Sequence, residues 1–279
     1  MANYTAADIK RLREQTAAGM LDVKKALDET DGDYEKAVEY LRVKGLKGVT
    51  KREGRTASNG LVTAQIAPDN SAGTLLELAC ETDFVAKADR FQQVAAELLA
   101  HVASTGPAEV PQLLASTFPG SGKTVQEFVD EANATLGEKI ELRRAATFEG
   151  GYVGVYLHKT SPDLPAQVGV LVQLDKESAE TAKDVAQHIA AFAPTYLTRD
   201  EVPAEIVEKE RRLAEETSRE EGKPEAALPK IVEGRVNGFF KDNVVLEQAF
   251  AKDPKKTVAK VLEEAGVTLQ AFARFRVGV

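Results

Sequence analysis

Ala79-Cys80-Glu81-Thr82-Asp83-Phe84-Val85-Ala86-Lys87 is the stretch on which the reading of this chain turns. Upstream of it, Gly73-Thr-Leu-Leu-Glu-Leu-Ala-Cys80 is an apolar run of strand length. Downstream, Phe91, Val94, Ala95, Leu98, Leu99 and Val102 keep helical spacing. Thr82 to Val85 is therefore a tight strand-to-helix corner, a place where side chains stand at the edge of a rigid scaffold and binding residues commonly lie. Spacing alone allows two readings of its most prominent pair. Either Phe84 tucks into its own core while Asp83 caps the next helix, or the aromatic and the acid are offered to a partner.

Outward from the corner, the pattern is α+β. Leu61-Val-Thr-Ala-Gln-Ile66 and Thr74 to Cys80 flank the turn-rich Pro68-Asp-Asn-Ser-Ala72, as in a hairpin. A helix from about Lys87 to Ser104, a second over roughly Val125 to Leu136 and a strand from Ile140 to Thr147 complete a first subdomain, 61–148. The same order then restarts. Tyr152 to His158 and Val168 to Leu174 make another hairpin, Ala179, Ala182, Val185, Ala186, Ile189 and Phe192 another helix, and Leu269 to Val277 the closing strand. This predicts a second, similar subdomain from 149–199 and 241–279. The insertion between them, 200–240, is polar: Glu205 to Lys223 carries twelve charged residues in nineteen, too many for a core helix. Its narrow apolar stripe of Ile206, Val207, Leu213 and Ala214 matches a second one of Leu228, Ile231, Val232 and Val236, which predicts an antiparallel helical hairpin standing away from the body. Pro229 is expected to break the second helix or delay its start.

Before the first subdomain, residues 1–45 read as three short helices. Thr5-x-x-Asp8 has the form of a capping box, and Ile9, Leu12 and Thr16, then Met20, Val23, Ala26 and Leu27, then Tyr34, Ala37, Val38 and Leu41 form their stripes, punctuated by Gly19, Asp31-Gly32 and Gly45. Met20 and Leu21 are adjacent, and successive helical positions lie about 100° apart, so one of the two is expected to face outward. Residues 46–60 read as a basic, glycine-rich linker, a solvated tether without interleaved aromatic residues for stacking on bases.

The whole-chain figures narrow the function. With 43% hydrophobic and 29% charged residues over 279 positions the composition is that of a folded soluble protein, and no apolar run approaches the roughly 20 residues of a bilayer span. No secretory signal opens the chain, and the single cysteine, Cys80, rules out an internal disulfide; a cytoplasmic location is expected. A net charge of −8 favours a protein partner over a nucleic-acid backbone. Pro119-Gly-Ser-Gly-Lys-Thr124 imitates a phosphate loop but has Thr117 where the first glycine is required, and Thr124-x-x-Glu127 reads instead as a capping box. His101, His158 and His188 have no metal-ligand spacing, and no nucleophile, base and orienting acid share a motif, so neither a cofactor nor bond-making chemistry is expected.

The strings TDFVAK at the corner, LREQTAAGM at 12–20, KKALDETDGD at 24–33 and KIVEGR at 230–235 closely resemble the bacterial translation elongation factor Ts family, from Thr5 to Val277. That resemblance implies guanine-nucleotide exchange on elongation factor Tu, bound in its GDP-bound and nucleotide-free forms, with no enzymatic step and no direct contact to nucleic acid or membrane. It implies that the first module is ubiquitin-associated-like and docks on the GTPase, and that the hairpin is a projecting coiled coil. It assigns Thr82, Asp83, Phe84 and Val85 to dislodging the partner's Mg²⁺, and Arg13, Met20, Leu21 and His158 to gripping the partner elsewhere. Some family members continue past the last strand with a further helical module, a contact expected to be absent or replaced here. The competing readings are a ribosome- or RNA-associated binding protein using the basic linker and hairpin, and a nucleotide hydrolase using the GSGKT segment.

Overall fold

The computed structural model of the chain describes residues 3–16, 18 and 20–278. Three helices come first, α1 (Ala6–Thr16), α2 (Met20–Glu29) and α3 (Tyr34–Arg52). The cap expected at Thr5 forms in both directions: its N–H donates to the Asp8 carboxylate at 2.7 Å, and the Asp8 N–H donates to the Thr5 hydroxyl at 3.2 Å. Asp33 caps α3 by accepting the Lys36 N–H at 3.1 Å. Leu12, Val23, Ala26, Leu27, Ala37 and Leu41 close into one small core. The break read at Gly19 lies outside the described residues.

The first lobe follows. Strands β1 (Asn59–Ile66) and β2 (Ala72–Cys80) form a hairpin that leads into α4 (Asp83–Lys87) and α5 (Asp89–Thr105). After α6 (Val110–Ala115) come the two-residue strands β3 (Thr117–Phe118) and β4 (Lys123–Thr124), then α7 (Val125–Leu136) and β5 (Glu141–Glu149), which closes an antiparallel sheet of order β1-β2-β5. The helix expected from about Lys87 to Ser104 is α5, and α4 is a separate single turn ahead of it. Ala88, extended at φ −67° and ψ 134°, separates the single turn of α4 from α5.

The second lobe repeats the plan with β6 (Tyr152–His158), β7 (Val168–Leu174) and α8 (Ala179–Phe192). The hairpin of α9 (Ala204–Glu220) and α10 (Leu228–Asn243) is inserted next; short strands β8 (Ala249–Phe250) and β9 (Asp253–Thr257), α11 (Val258–Ala265) and β10 (Leu269–Arg276) finish a sheet of order β10-β7-β6. Helix α11, opened by the Thr257 cap and closed by left-handed Gly266, supplies the second helix of the repeat. Pro229 sits in the first turn of α10, where its missing N–H needs no partner, so it opens the helix rather than breaking it. Ala214, Val232, Val236 and Phe240 seal the hairpin, and α9 packs chiefly on α10.

The two sheets pack face to face. Val62 and Leu75 meet Val153, Leu171 and Phe275 between them. The outer face of the first sheet, with Leu61, Leu76 and Leu78, is covered by Phe91, Val94 and Leu98 of α5; that of the second, with Val170, Val172 and Leu174, is covered by Val185 and Ile189 of α8. Strands β2 and β7 are thus buried on both faces, which is why they read as unbroken apolar runs. A Cβ on Gly169 would stand 2.4 Å from Val62 Cγ1, so only glycine permits this approach. A polar bridge also crosses the interface. Glu77, fully buried in β2, accepts from Arg144 Nε at 2.5 Å, while the same guanidinium donates to the Arg276 carbonyl of the other sheet at 2.7 Å. Burial pushes the Glu77 carboxyl above its usual range, against the pull of Arg144.

The three-helix module is docked on this body rather than tethered to it. Helix α3 runs to Arg52, well into the stretch read as a linker, because it finds a partner in α7. Gly45 comes so close that a Cβ would stand 2.5 Å from the Ala134 Cβ. Arg42 pairs with Glu131 at 2.7 Å, and Arg52 donates to the Asn133 carbonyl at 3.1 Å.

Candidate partner interface

Strand β2 ends at Cys80, whose thiol is buried in the first-lobe core and donates to the Thr82 carbonyl at 3.2 Å. Burial, reinforced by nearby Glu138, pushes this thiol up to about 12. Thr82 is extended and is the N-cap of α4, its hydroxyl accepting the Val85 N–H at a long 3.4 Å; Thr82 thus takes the capping role that one reading gave to Asp83. Val85 and Ala86 turn inward on to the core. At about 100° per residue, that leaves Phe84 pointing out. It is 80% exposed, so the reading in which its ring fills its own lobe does not hold. Beside it, Asp83 pairs with Lys87 at 2.9 Å, and that ammonium holds the carboxyl below its usual range. The Lys87 Nζ also lies 6.0 Å from the Phe84 ring centroid. The corner therefore carries a bare aromatic ring and a carboxylate on one short turn.

The other residues singled out in the sequence lie on two further patches. Arg13 and Met20 line a shallow depression on the three-helix module together with Ala6, Ile9 and Lys10. Met20 is 58% and Leu21 84% exposed, so both, rather than one, face outward. The inward stripe of α2 is Val23, Ala26 and Leu27, and its first turn overhangs that small core. His158 closes β6, exposed, with its Nδ1 3.1 Å from the Tyr156 hydroxyl. Leu157 next to it is 40% exposed and was not singled out. It continues the inward stripe of Val153 and Val155 past the end of the sheet packing, and no local sequence signal marks where that support stops. Glu138 was also missed. It lies just after Gly137, the left-handed cap of α7, and its carboxylate accepts from the N–H of Glu81 and of Thr82 at 3.1 and 3.0 Å and from the Thr82 hydroxyl at 2.6 Å.

The remaining candidates are absorbed by local structure. Pro119 to Gly122 makes the turn of the β3–β4 hairpin; Lys123 Nζ is held by both oxygens of Glu131 at 2.7 and 2.8 Å, and Thr124 forms the expected capping box with Glu127. His101 bonds to the Ser116 hydroxyl at 2.8 Å and His188 to Gln248 at 2.8 Å, in separate lobes. Among the described residues no group of three or more His, Cys, Asp or Glu is placed to hold a metal ion, and no helix is long and apolar enough to cross a membrane.

Known proteins resemble this chain along its whole length. The family described as Elongation factor TS matches residues 81–279, beginning at the corner itself. The elongation factor Ts of Streptomyces griseus subsp. griseus is 67% identical over 279 residues, covering 100% of both chains. That of Thermobifida fusca is 61% identical over 278 residues, covering 100% of this chain and 99% of its own, and that of Micrococcus luteus is 60% identical over 281 residues with 100% of both covered. End-to-end identity at this level leaves one conclusion: the chain belongs to the elongation factor Ts family and is a translation elongation factor.

Proposed function

We propose that the chain is a guanine-nucleotide exchange factor for elongation factor Tu, binding the GDP-bound GTPase, disturbing its Mg²⁺ and phosphate site, releasing GDP and allowing GTP to load. The observation that carries this reading is Phe84, a large apolar ring held almost fully in water at the tip of a turn whose base is buried. Such a residue is stabilised by covering it with a partner, and nothing in its own lobe does so. A GTPase holds GDP through Mg²⁺ and backbone and side-chain contacts to the phosphates. Apolar bulk from Phe84, wedged between partner helices near that site while Asp83 bonds to one of them, would displace the Mg²⁺ surroundings without any residue of this chain binding the metal. Arg13, Met20 and Leu21 on the module and His158 on the second lobe would hold the partner from other sides. Here the chain acts by binding and makes no bond.

A protein partner also fits the electrostatics better than RNA does. Within the basic stretch after α2, Lys44 pairs with Asp22, Arg52 with the Asn133 carbonyl and Arg55 with Glu81 at 3.3 Å, so these cations are committed within the chain. The direct test is release of a fluorescent GDP analogue from purified elongation factor Tu. Addition of the chain should accelerate release in a concentration-dependent, saturable manner; an unchanged rate at micromolar factor would sink the reading.

A further inference from the structure

We propose that Glu138 is a positioning residue for exchange: from the loop between α7 and β5 it fixes the backbone from which Phe84 and Asp83 project. The proposal rests on the exchange reading above and adds to it a residue outside the TDF corner. Helix α4 is a single turn, and one turn of helix fixes several dihedrals for very few hydrogen bonds, so it does not hold itself. Its own cap bond is long at 3.4 Å. The N–H groups of Glu81 and Thr82 come just after the last paired residue of β2, Cys80, and have no ladder partner. One carboxylate oxygen of Glu138 takes both of them and the other takes the Thr82 hydroxyl. Bonds from neutral donors to an ionised acceptor are about twice as strong as neutral pairs, and here three converge on two consecutive residues.

The grip is reciprocal. The Glu81 carboxylate accepts the Lys139 N–H at 2.6 Å and pairs with Arg55, while the Asn59 amide donates to the Glu81 carbonyl at 2.8 Å. Lys139 Nζ in turn donates to the carbonyl of Glu53 at 2.8 Å, just past the end of α3. Two consecutive loop residues thus lock two consecutive corner residues and tie them to the helix that carries the docking module. A wedge transmits force only if its base is stiffer than what it displaces. Without Glu138, Phe84 gives way instead of the partner, and the loss falls on the release step rather than on encounter, which the other patches support.

The test uses full-length chain with Glu138→Ala and Glu138→Gln, stopped-flow release of fluorescent GDP from elongation factor Tu over a range of factor concentrations, and amide hydrogen exchange on the factor alone. A glutamine can still accept both N–H groups through its oxygen and donate to the Thr82 hydroxyl, so it serves as the rescue. E138A should lower the saturating release rate by about tenfold or more with the half-saturating concentration within about threefold, as expected for a misplaced group rather than a lost one. Hydrogen exchange should speed up over 81–87 while Phe91 to Val102 stays protected, and E138Q should lie within about threefold of the parent rate. A parent-like saturating rate in E138A, protection lost across the whole lobe, or E138Q as slow as E138A would each overturn the positioning role while leaving the exchange reading intact. Failure of the unmodified chain to stimulate release would remove both.

Discussion

Replacing Phe84 by alanine separates stability from function. The ring is 80% exposed and makes no core contact, so its loss should leave folding stability within about 0.5 kcal/mol, the usual range for surface substitutions. In the exchange reading its value lies in what a partner covers. Burying a phenylalanine side chain that was in water is worth about 2–3 kcal/mol, and at ~1.4 kcal/mol per decade that is roughly thirty- to a hundredfold in stimulated GDP release per unit concentration of factor. The assay is fluorescent-GDP release from elongation factor Tu, run beside thermal unfolding of both proteins by circular dichroism. A release rate within twofold of the parent would refute the wedge, and a fall in stability of more than about 1 kcal/mol would show that the ring has an internal role the exposure denies.

Further outcomes follow from the other features. Joint replacement of Met20 and Leu21 by alanine should raise the dissociation constant for elongation factor Tu by about tenfold, measured calorimetrically, with an unchanged melting temperature, since both side chains are exposed; unaltered affinity would remove the module's first turn from the interface. Cys80, buried and with its thiol pushed up to about 12, should stay unreactive toward a thiol reagent at pH 8 until the chain is unfolded; rapid labelling of the native chain would mean that the corner opens. His188 should make the fold acid-sensitive near neutrality. Its Nε2 is bonded to Gln248 and its Nδ1 accepts the Ala251 N–H at 3.2 Å, and burial lowers its pKa. A folded pKa below the unfolded value of about 6.5 means the contribution is fully present above that pH and is lost as the pH falls below it toward the folded value. Melts between pH 7.5 and 5.5 should show this fall, and a flatter profile in His188→Gln; an identical slope in both would reject it.

Much of this was legible in the sequence because the relevant signals are local. The β2 run, the α5 stripe and the boxes at Thr5 and Thr124 each announce their element within a few residues. What was not legible depends on partners distant along the chain. The extension of α3 to Arg52 is decided by Ala134 and Glu131 on α7, so a glycine-rich, basic stretch that looks like a tether becomes a docked helix. Glu138 has no signature of its own: its meaning comes from two N–H groups far back in the chain that β2 leaves unpaired. The outward turn of both Met20 and Leu21 follows from how small the module's core is, which helical periodicity cannot express. For the corner, spacing left Phe84 undecided between core and partner, and the inward turn of Val85 and Ala86 settles its exposure.

The separation of the three patches has a thermodynamic consequence under the exchange reading. A contact that is equally good with the GDP-bound and the nucleotide-free partner supplies affinity but no coupling, because a ligand shifts an equilibrium only by its differential affinity for the two states. The depression around Arg13 and Met20 and the strand end at His158 can act as such anchors, whereas Phe84 and Asp83 gain only when the partner's nucleotide site has moved. Coupling is reciprocal: the factor weakens GDP binding only as far as GDP weakens the factor, each tenfold being about 1.4 kcal/mol. Weakening the anchors should therefore shift the concentration at which exchange is half-maximal, while weakening the wedge or its Glu138 support should lower the maximum. The direction of exchange is set by neither. Under the exchange reading, arriving GTP would expel the factor by the same reciprocity that lets the factor expel GDP, so net loading would follow the relative abundance of the two nucleotides.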